Sequence, residues 1–370
     1  MNTPWYKKLS EYVDKCDKID QHIIKILAEK TDLAPEIKSM VTYQKVATVY
    51  ESNLIEESGL PKEATRKIIE TICPSLPNTP AEYQSDNIVD LLQGGITSWT
   101  QDQINSFSEL MQSEYDNPLE TFSKLTPSVT FNNKNRKQME VARHFIALEE
   151  IDRHATNKLI VFGMLRFIKN NPQNKEINRI TGNPSLMDGL ISSSKEFITE
   201  DFIKSIHKTL ATDLLPTDAG VAAGEYRIDE RGVGDYTVKF PSPEIIESCM
   251  KNWVRQTNQT MQDVWNKDLS PYVASAKISH EFVWIHPFPD FNGRMSRLIM
   301  NLVLLSTGKI FSVDLRGESK NKHRYITSLK KANRQDYSAL AALIAMRRSE
   351  VLENIKVNLM TAGYDFGADS

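Results

Sequence analysis

Apolar positions recur three and four residues apart along most of the chain. Ile19, Ile23, Ile24 and Leu27 make one stripe, and Val141, Phe145, Leu148 and Ile151 another. This is the spacing of helices that bury one face. From residue 199 the pattern tightens. Thr199 reads as an N-cap, and Glu200 and Asp201 fall in the first turn, where the helix dipole favours acids. Phe202, Ile203, Ile206 and Leu210 then share a face. Helical spacing resumes at Ile245, Ile246 and Met250. It returns over 271–285, with Val273, Ala276, Phe282 and Ile285 apolar and Pro287 as the stop. An apolar helix through Leu298 to Leu305 follows closely. Strand-like alternation is scarce. Tyr236 to Phe240 alternates apolar and polar and halts at Pro241-Ser242-Pro243, which reads as a short hairpin arm with a free edge. The pattern predicts a mainly α protein with a small β-hairpin.

Breaks fall at Pro74, Pro77 and Pro80, at the polar stretch 132–138, at 170–175 with Gly182-Asn183-Pro184 close behind, and in the Gly-rich segment 220–234. A length of 370 residues suggests two or three domains. Charge is balanced, with 45 Lys+Arg against 48 Asp+Glu, which gives no global reason to expect nucleic-acid or membrane binding. Cys16, Cys73 and Cys249 lie far apart and form no CxxC pair, so neither a disulfide framework nor a zinc cluster is suggested. The N-terminus lacks the apolar core of a signal peptide, and no run reaches the roughly 18 apolar residues of a membrane span. The expectation is a soluble, cytoplasmic protein.

The densest chemistry lies in His286-Pro287-Phe288-Pro289-Asp290-Phe291-Asn292-Gly293-Arg294, with Arg297 beyond it. A short loop here joins two apolar helices, and the second presents its N-terminus to the loop. Unpaired N–H groups and the positive dipole end suit phosphate. Asn292 and Gly293 can turn the backbone so that further N–H groups converge. Arg294 and Arg297 lie on one helix face, with guanidinium forks that match phosphate oxygens. Asp290 supplies one carboxylate, enough for a Mg²⁺ whose other ligands are phosphate oxygens and water. His286 can be neutral near pH 7 and accept a proton from a hydroxyl. His280-Glu281 with His286 has the wrong spacing for a zinc helix. His144, His154 and His207 read as core or surface residues, and Trp99, Trp253 and Trp265 as core or interface.

This segment resembles the signature loop of the Fic family, His-Pro-Phe-x-Asp/Glu-Gly-Asn-Gly/Lys-Arg with a further Arg three residues on. The resemblance spans roughly 195–350. It implies a Fic-type helical domain over 191–350 with a small β-hairpin flap, preceded by a helical N-terminal region (1–190) and followed by a helix end and tail (351–370). It implies that His286 is the general base, that Asp290 binds Mg²⁺, that Asn292 and Gly293 line the anion hole, and that Arg294 and Arg297 grip the terminal phosphates of ATP. The implied reaction moves AMP from ATP to a Ser, Thr or Tyr hydroxyl of a target protein. Some members move UMP, phosphocholine or phosphate instead. Gly224-Glu225-Tyr226-Arg227 resembles the family's Gly-x-x-Arg element. Tyr236, Thr237, Val238 and Lys239 stand where the family has the flap that pairs with the target's backbone. Asn333 stands where the family has an Asn near adenine or ribose. Position 291 departs from the pattern, with Phe for the family's Gly or Ala. If its backbone needs positive φ, Phe is strained there; if not, its ring reshapes the phosphate pocket.

Many Fic proteins also carry a helix with Ser/Thr-x-x-x-Glu-Gly/Asn, whose Glu pairs with the second arginine, here Arg297. Ser52-Asn53-Leu54-Ile55-Glu56 fits within a helix near 45–57, followed by Glu57 rather than Gly or Asn. Ser349 to Asn354, with Glu353, is the alternative. The same resemblance leaves open removal of AMP, self-modification and homodimer formation. A rival from another class is a non-catalytic nucleotide-binding interaction module.

Overall fold

A computed structural model describes residues 4–29, 34–72, 136–170, 184–233, 238–364 and 366. In chain order the helices are α1 (Pro4–Glu29), α2 (Ala34–Ile55), α3 (Lys62–Ile72), α4 (Arg136–Asn170), α5 (Pro184–Lys195) and α6 (Glu200–Ala211). After a hairpin come α7 (Ile246–Trp265), α8 (Pro271–Ile285), α9 (Asn292–Leu305), α10 (Ser319–Ala332) and α11 (Ser338–Thr361). The hairpin pairs β1 (Gly232–Val233) antiparallel with β2 (Val238–Lys239), Gly232 opposite Lys239 and Val233 opposite Val238. The expected mainly α architecture with a small β-hairpin is what the described residues form.

The helix starts follow local chemistry. Thr199 Oγ1 accepts the Phe202 N–H at 3.1 Å and caps α6. Pro184 and Pro271 occupy first-turn positions of α5 and α8, where a missing N–H costs nothing. In α9 every residue except Gly293 is buried, so it is the central helix, packed between α8 and α4.

Two apolar cores result. One gathers α4, α6, α7, α8 and α9, with Phe145, Trp253, Phe282 and Leu298 among its members. The other joins α1 to α11 through Ile19, Ile23, Leu340 and Leu352. Each core takes residues from both sides of residue 190. Within the second, Arg348 is fully buried and donates to both Asp20 oxygens at 2.7 Å.

The structure corrects two boundaries. The polar stretch 132–138 was expected to be a loop, but α4 begins at Arg136. Arg136 there donates to Glu140 at 3.1 Å and to the Leu214 carbonyl at 2.8 Å, so the polar side chains anchor a helix start. The apolar helix expected from Leu298 starts earlier, at Asn292, which puts both loop arginines in its first two turns. The Pro74–Pro80 break, Trp99, Tyr236 and Thr237 lie outside the described residues. No described helix is long and apolar enough to cross a membrane.

Candidate active site

The loop 286–291 joins α8 to α9. His286 takes a left-handed conformation, φ 53°, and its N–H caps α8 by donating to the Phe282 carbonyl at 3.1 Å. Its Nδ1 lies 3.2 Å from the Val283 carbonyl oxygen. A carbonyl only accepts, so Nδ1 carries the hydrogen and Nε2 keeps its lone pair. The Phe240 ring, just past β2, stacks on the imidazole at 4.0 Å and 7°. Burial, helped by the charges of Arg227 and Arg231, pushes the His286 imidazole down to about 4, so it is neutral at pH 7. The result is a fixed, neutral acceptor.

The loop's backbone is tied on every side. Arg227, 2% exposed, donates to the His286 carbonyl at 2.7 Å and to those of Asp229 and Pro241, while its own N–H reaches the Pro287 carbonyl at 2.9 Å. Gly224, at φ +92°, lets the preceding turn lie against α6; a Cβ there would stand 3.0 Å from the Lys204 carbonyl. Asn292 closes the loop from within: Oδ1 accepts the Phe288 N–H at 3.0 Å and Nδ2 donates to the Phe288 carbonyl at 2.7 Å. Its side chain therefore serves the loop, and an anion would meet the backbone N–H groups of the helix start instead.

His207, read from sequence as a core or surface residue, is part of this support. Its ring stacks on Phe288 at 3.8 Å and 2°. Nδ1 accepts the Gly224 N–H at 2.9 Å, which leaves Nε2–H to donate to the Asp290 carbonyl at 3.2 Å. Burial pushes this imidazole down to about 3, which keeps it neutral in that bridge. Nothing in its sequence neighbourhood beyond its place on the buried face of α6 marks it.

An anion already lies at the N-terminus of α9. Helix α2 ends in a reciprocal turn in which Ser58 N–H reaches the Asn53 carbonyl and Glu57 N–H the Leu54 carbonyl, both at 3.0 Å. Glu57 takes the left-handed position, φ 57°, which explains why Gly or Asn is favoured there. That turn delivers Glu56 Oε1 to Arg297 Nη2 at 2.6 Å. Ser52 completes the contact, its Oγ accepting from Arg297 Nε at 2.8 Å and its carbonyl from Nη2 at 3.0 Å. A Cβ on Gly293 would come within 2.4 Å of Glu56 Oε1, so the carboxylate sits directly over the helix start. Burial pushes the Glu56 carboxyl up, but the charges of Arg297, Arg294 and Lys322 outweigh it and hold it below the usual carboxylate range. Behind this contact, Asn53 Oδ1 meets His144 Nδ1 at 3.1 Å and ties α2 to α4.

Arg294 is held differently. Its Nη2 lies 2.5 Å from Ser58 Oγ and 3.3 Å from Glu140 Oε2, and its guanidinium carbon stands 4.5 Å from the centre of the Phe291 ring. Phe291 has φ 63° and ψ 6°. The left-handed conformation costs a residue with a Cβ about 1–2 kcal/mol. Its ring does not point into open space: it is 5% exposed and part of the first core.

Asp290 is exposed, and its Oδ1 accepts the Phe291 N–H at 2.6 Å. Among the described residues no three His, Cys, Asp or Glu side chains gather as a metal cage. A single carboxylate beside a helix N-terminus fits a Mg²⁺ that takes its remaining ligands from a nucleotide and water. Of the residues expected to form a flap, Val238 and Lys239 form β2 and Lys239 is exposed. Asn333 is the C-cap of α10, with Oδ1 2.8 Å from His280 Nε2. Glu353 pairs with Lys15 of α1 at 3.0 Å, so its carboxylate faces the α1–α11 interface, while the contact with Arg297 is made by Glu56.

Comparison with known proteins gives a family for the segment that carries this loop. A family model described as Fic/DOC family matches residues 197–304. A Fido domain-containing protein of Dictyostelium discoideum is 38% identical over 144 residues, which is 38% of this chain and 95% of that protein. A protein adenylyltransferase Fic of Nematostella vectensis is 30% identical over 162 residues, 43% of this chain and 34% of that protein. The chain thus spans about a third of the length of that adenylyltransferase. The solved structure of Fic-1 (residues 134–508) from C. elegans shares the fold with a TM-score of 0.51 at 19% identity, covering 95% of this chain and 71% of that one.

Proposed function

The chain belongs to the Fic/DOC family, and from that premise we propose that it is a protein adenylyltransferase, moving AMP from ATP to a Ser, Thr or Tyr hydroxyl of a target protein. The observation that carries the reading is the shared location of two complementary groups: a neutral His286 with a free Nε2, and an N-terminal helix turn that already binds a carboxylate through Arg297. One suits a hydroxyl proton and the other a polyphosphate.

In this mechanism the target hydroxyl lies against His286 Nε2. Its oxygen attacks the α-phosphorus, the proton passes to Nε2, and the bond to the β-phosphate oxygen breaks to release pyrophosphate. The N–H groups of Gly293 and its neighbours, with Arg294 and Arg297, stabilise the charge that gathers on the phosphates. Asp290 would hold Mg²⁺ together with phosphate oxygens, adding positive charge beside the leaving group. The Val283 carbonyl and the Phe240 ring keep the imidazole in one tautomer and one plane. The strand Val238–Lys239 offers a backbone edge against which an extended target segment can pair.

Glu56 acts as a brake in this reading. Its carboxylate uses the Arg297 donors that a terminal phosphate needs, so the braked protein binds ATP weakly or in an unproductive pose. The test is incubation with Mg²⁺ and ATP labelled at either the α- or the γ-phosphate. Label from the α-position should reach protein, label from the γ-position should not, and His286→Ala should abolish transfer. ATP binding without transfer of either label in a Glu56→Gly protein would favour the interaction-module reading. Transfer from a different labelled donor would identify another group as the cargo.

A further inference from the structure

An aromatic side chain at a left-handed position is an unfavourable choice unless its ring has a use. The Phe291 ring lies under the Arg294 guanidinium, with the guanidinium carbon 4.5 Å from its centre. At the edge of that guanidinium stands Glu140 of α4, with Oε2 3.3 Å from Nη2 and both side chains 7% exposed. Glu140 is itself held from the other side by Arg136 Nε at 3.1 Å. Among the described residues, buried Arg294 Nε has no hydrogen-bond partner. A buried donor of this kind awaits an acceptor, and beside a helix N-terminus a phosphate oxygen is the natural one. Glu140 lies outside residues 197–304, the span matched by the family model.

We propose that Phe291 and Glu140 are positioning residues that hold Arg294 as a preformed clamp for the terminal phosphates, the ring as a platform beneath the guanidinium and the carboxylate as a counter-charge at its edge. The proposal rests on reading the α9 N-terminus as the nucleotide phosphate site. Its physical basis is preorganisation. A free arginine loses much rotamer freedom when it closes on a ligand, and a guanidinium already fixed on two sides loses little. A Gly at 291 would relax the backbone but leave that face of Arg294 without support. Ser58, two residues beyond Glu56, takes the remaining Nη2 position while the brake is engaged and would leave with it.

The test uses the full chain with Glu56→Gly as parent, so that the brake does not mask binding. Calorimetry in the presence of Mg²⁺ gives the Kd for ATP and for AMP, and thermal melts confirm folding. Phe291→Leu keeps both the apolar bulk and the backbone strain and removes only the aromatic face. Phe291→Tyr keeps the face and is the conservative rescue. Glu140→Gln removes the counter-charge at constant shape. The expected result is an ATP Kd raised about tenfold in Phe291→Leu and Glu140→Gln, near the parent in Phe291→Tyr, and an AMP Kd within about twofold of the parent in all three. AMP lacks the phosphates that Arg294 would grip, so a general loss of structure would weaken both ligands together. Unchanged ATP binding, or equal losses for ATP and AMP, would overturn the proposal. Tighter ATP binding in Glu140→Gln would also overturn it, since Glu140 would then compete with phosphate. Failure of the Glu56→Gly parent to bind ATP at all would instead overturn the phosphate-site reading, and this inference with it.

Discussion

The Glu56 carboxylate lies 2.6 Å from the Arg297 guanidinium and so close over Gly293 that a Cβ there would approach it to 2.4 Å. A nucleotide that places its terminal phosphate on the same donors must first displace that carboxylate. Glu56 follows directly on α2, so the proposed brake would come from the helical region that precedes the family-matched segment.

Gly293→Ala separates the brake from the phosphate site. The new methyl group would push on Glu56 Oε1, the far end of a flexible side chain, and weaken its hold on Arg297. On the proposed phosphate site, the same methyl would occupy space that a phosphate needs. Gly293→Ala alone should therefore show no rise in AMP transfer, and Glu56→Gly/Gly293→Ala should transfer at least about tenfold more slowly than Glu56→Gly. Initial rates on the four proteins check this. Equal activation by the two single substitutions would show that the nucleotide tolerates the methyl.

The pH profile reports on His286. Its folded value of about 4 lies below the ordinary 6.5, so the neutral, proton-accepting form dominates at pH 7. In Glu56→Gly, kcat/KM should be flat from about pH 5 to 8, with no limb near 6.5. Phe240→Ala uncovers the imidazole, which should move an acidic limb up toward 6.5 and lower the rate below pH 7. The sign for stability follows: favouring the neutral form helps the fold above 6.5, and that contribution is lost as pH falls from 6.5 toward 4. An acidic limb near 6.5 before Phe240 is changed would contradict the buried-base account.

Glu150 gives a stability prediction remote from the chemistry. Burial pushes its carboxyl up to about 8 from an ordinary 4.5, and one oxygen accepts from Thr209 at 3.1 Å while the other has no hydrogen-bond partner among the described residues. The folded state holds this proton more tightly than the unfolded state does. Stability should therefore fall as pH rises from 4.5 to 8, by up to about 1.4 kcal/mol per unit. Glu150→Gln should remove that slope and raise the melting temperature at pH 8. Urea unfolding of both proteins at pH 5 and pH 8 checks it, and parallel pH dependences would refute the assignment.

The loop from His286 to Arg297 was legible in the sequence because its chemistry is local. Proline stops one helix, the next starts within a few residues, and base, carboxylate and arginines lie on the turn between. The departure at Phe291 was also legible as a question, and the positive φ answers it. Glu56 could be named as a candidate, but only tertiary packing brings it to an arginine 241 residues away. Contacts without a local signature were not legible. Glu140 meets Arg294 across 154 residues, and His207 supports Asp290 across 83. Helix boundaries failed where polar residues do structural work, as Arg136 does at the start of α4.

AMP transfer at this site and its restraint by Glu56 can be read in one experiment. Intact-mass spectrometry after incubation with ATP and Mg²⁺ tests both most directly, with self-modification and an added mixture of candidate target proteins as reporters. Wild type, Glu56→Gly and Glu56→Gly/His286→Ala would be compared. AMP-sized mass gains are expected in the Glu56→Gly sample at least about tenfold above wild type, and none in the double variant. Equal modification by wild type and Glu56→Gly would remove the brake from the account. Gains that persist without His286 would contradict its chemistry.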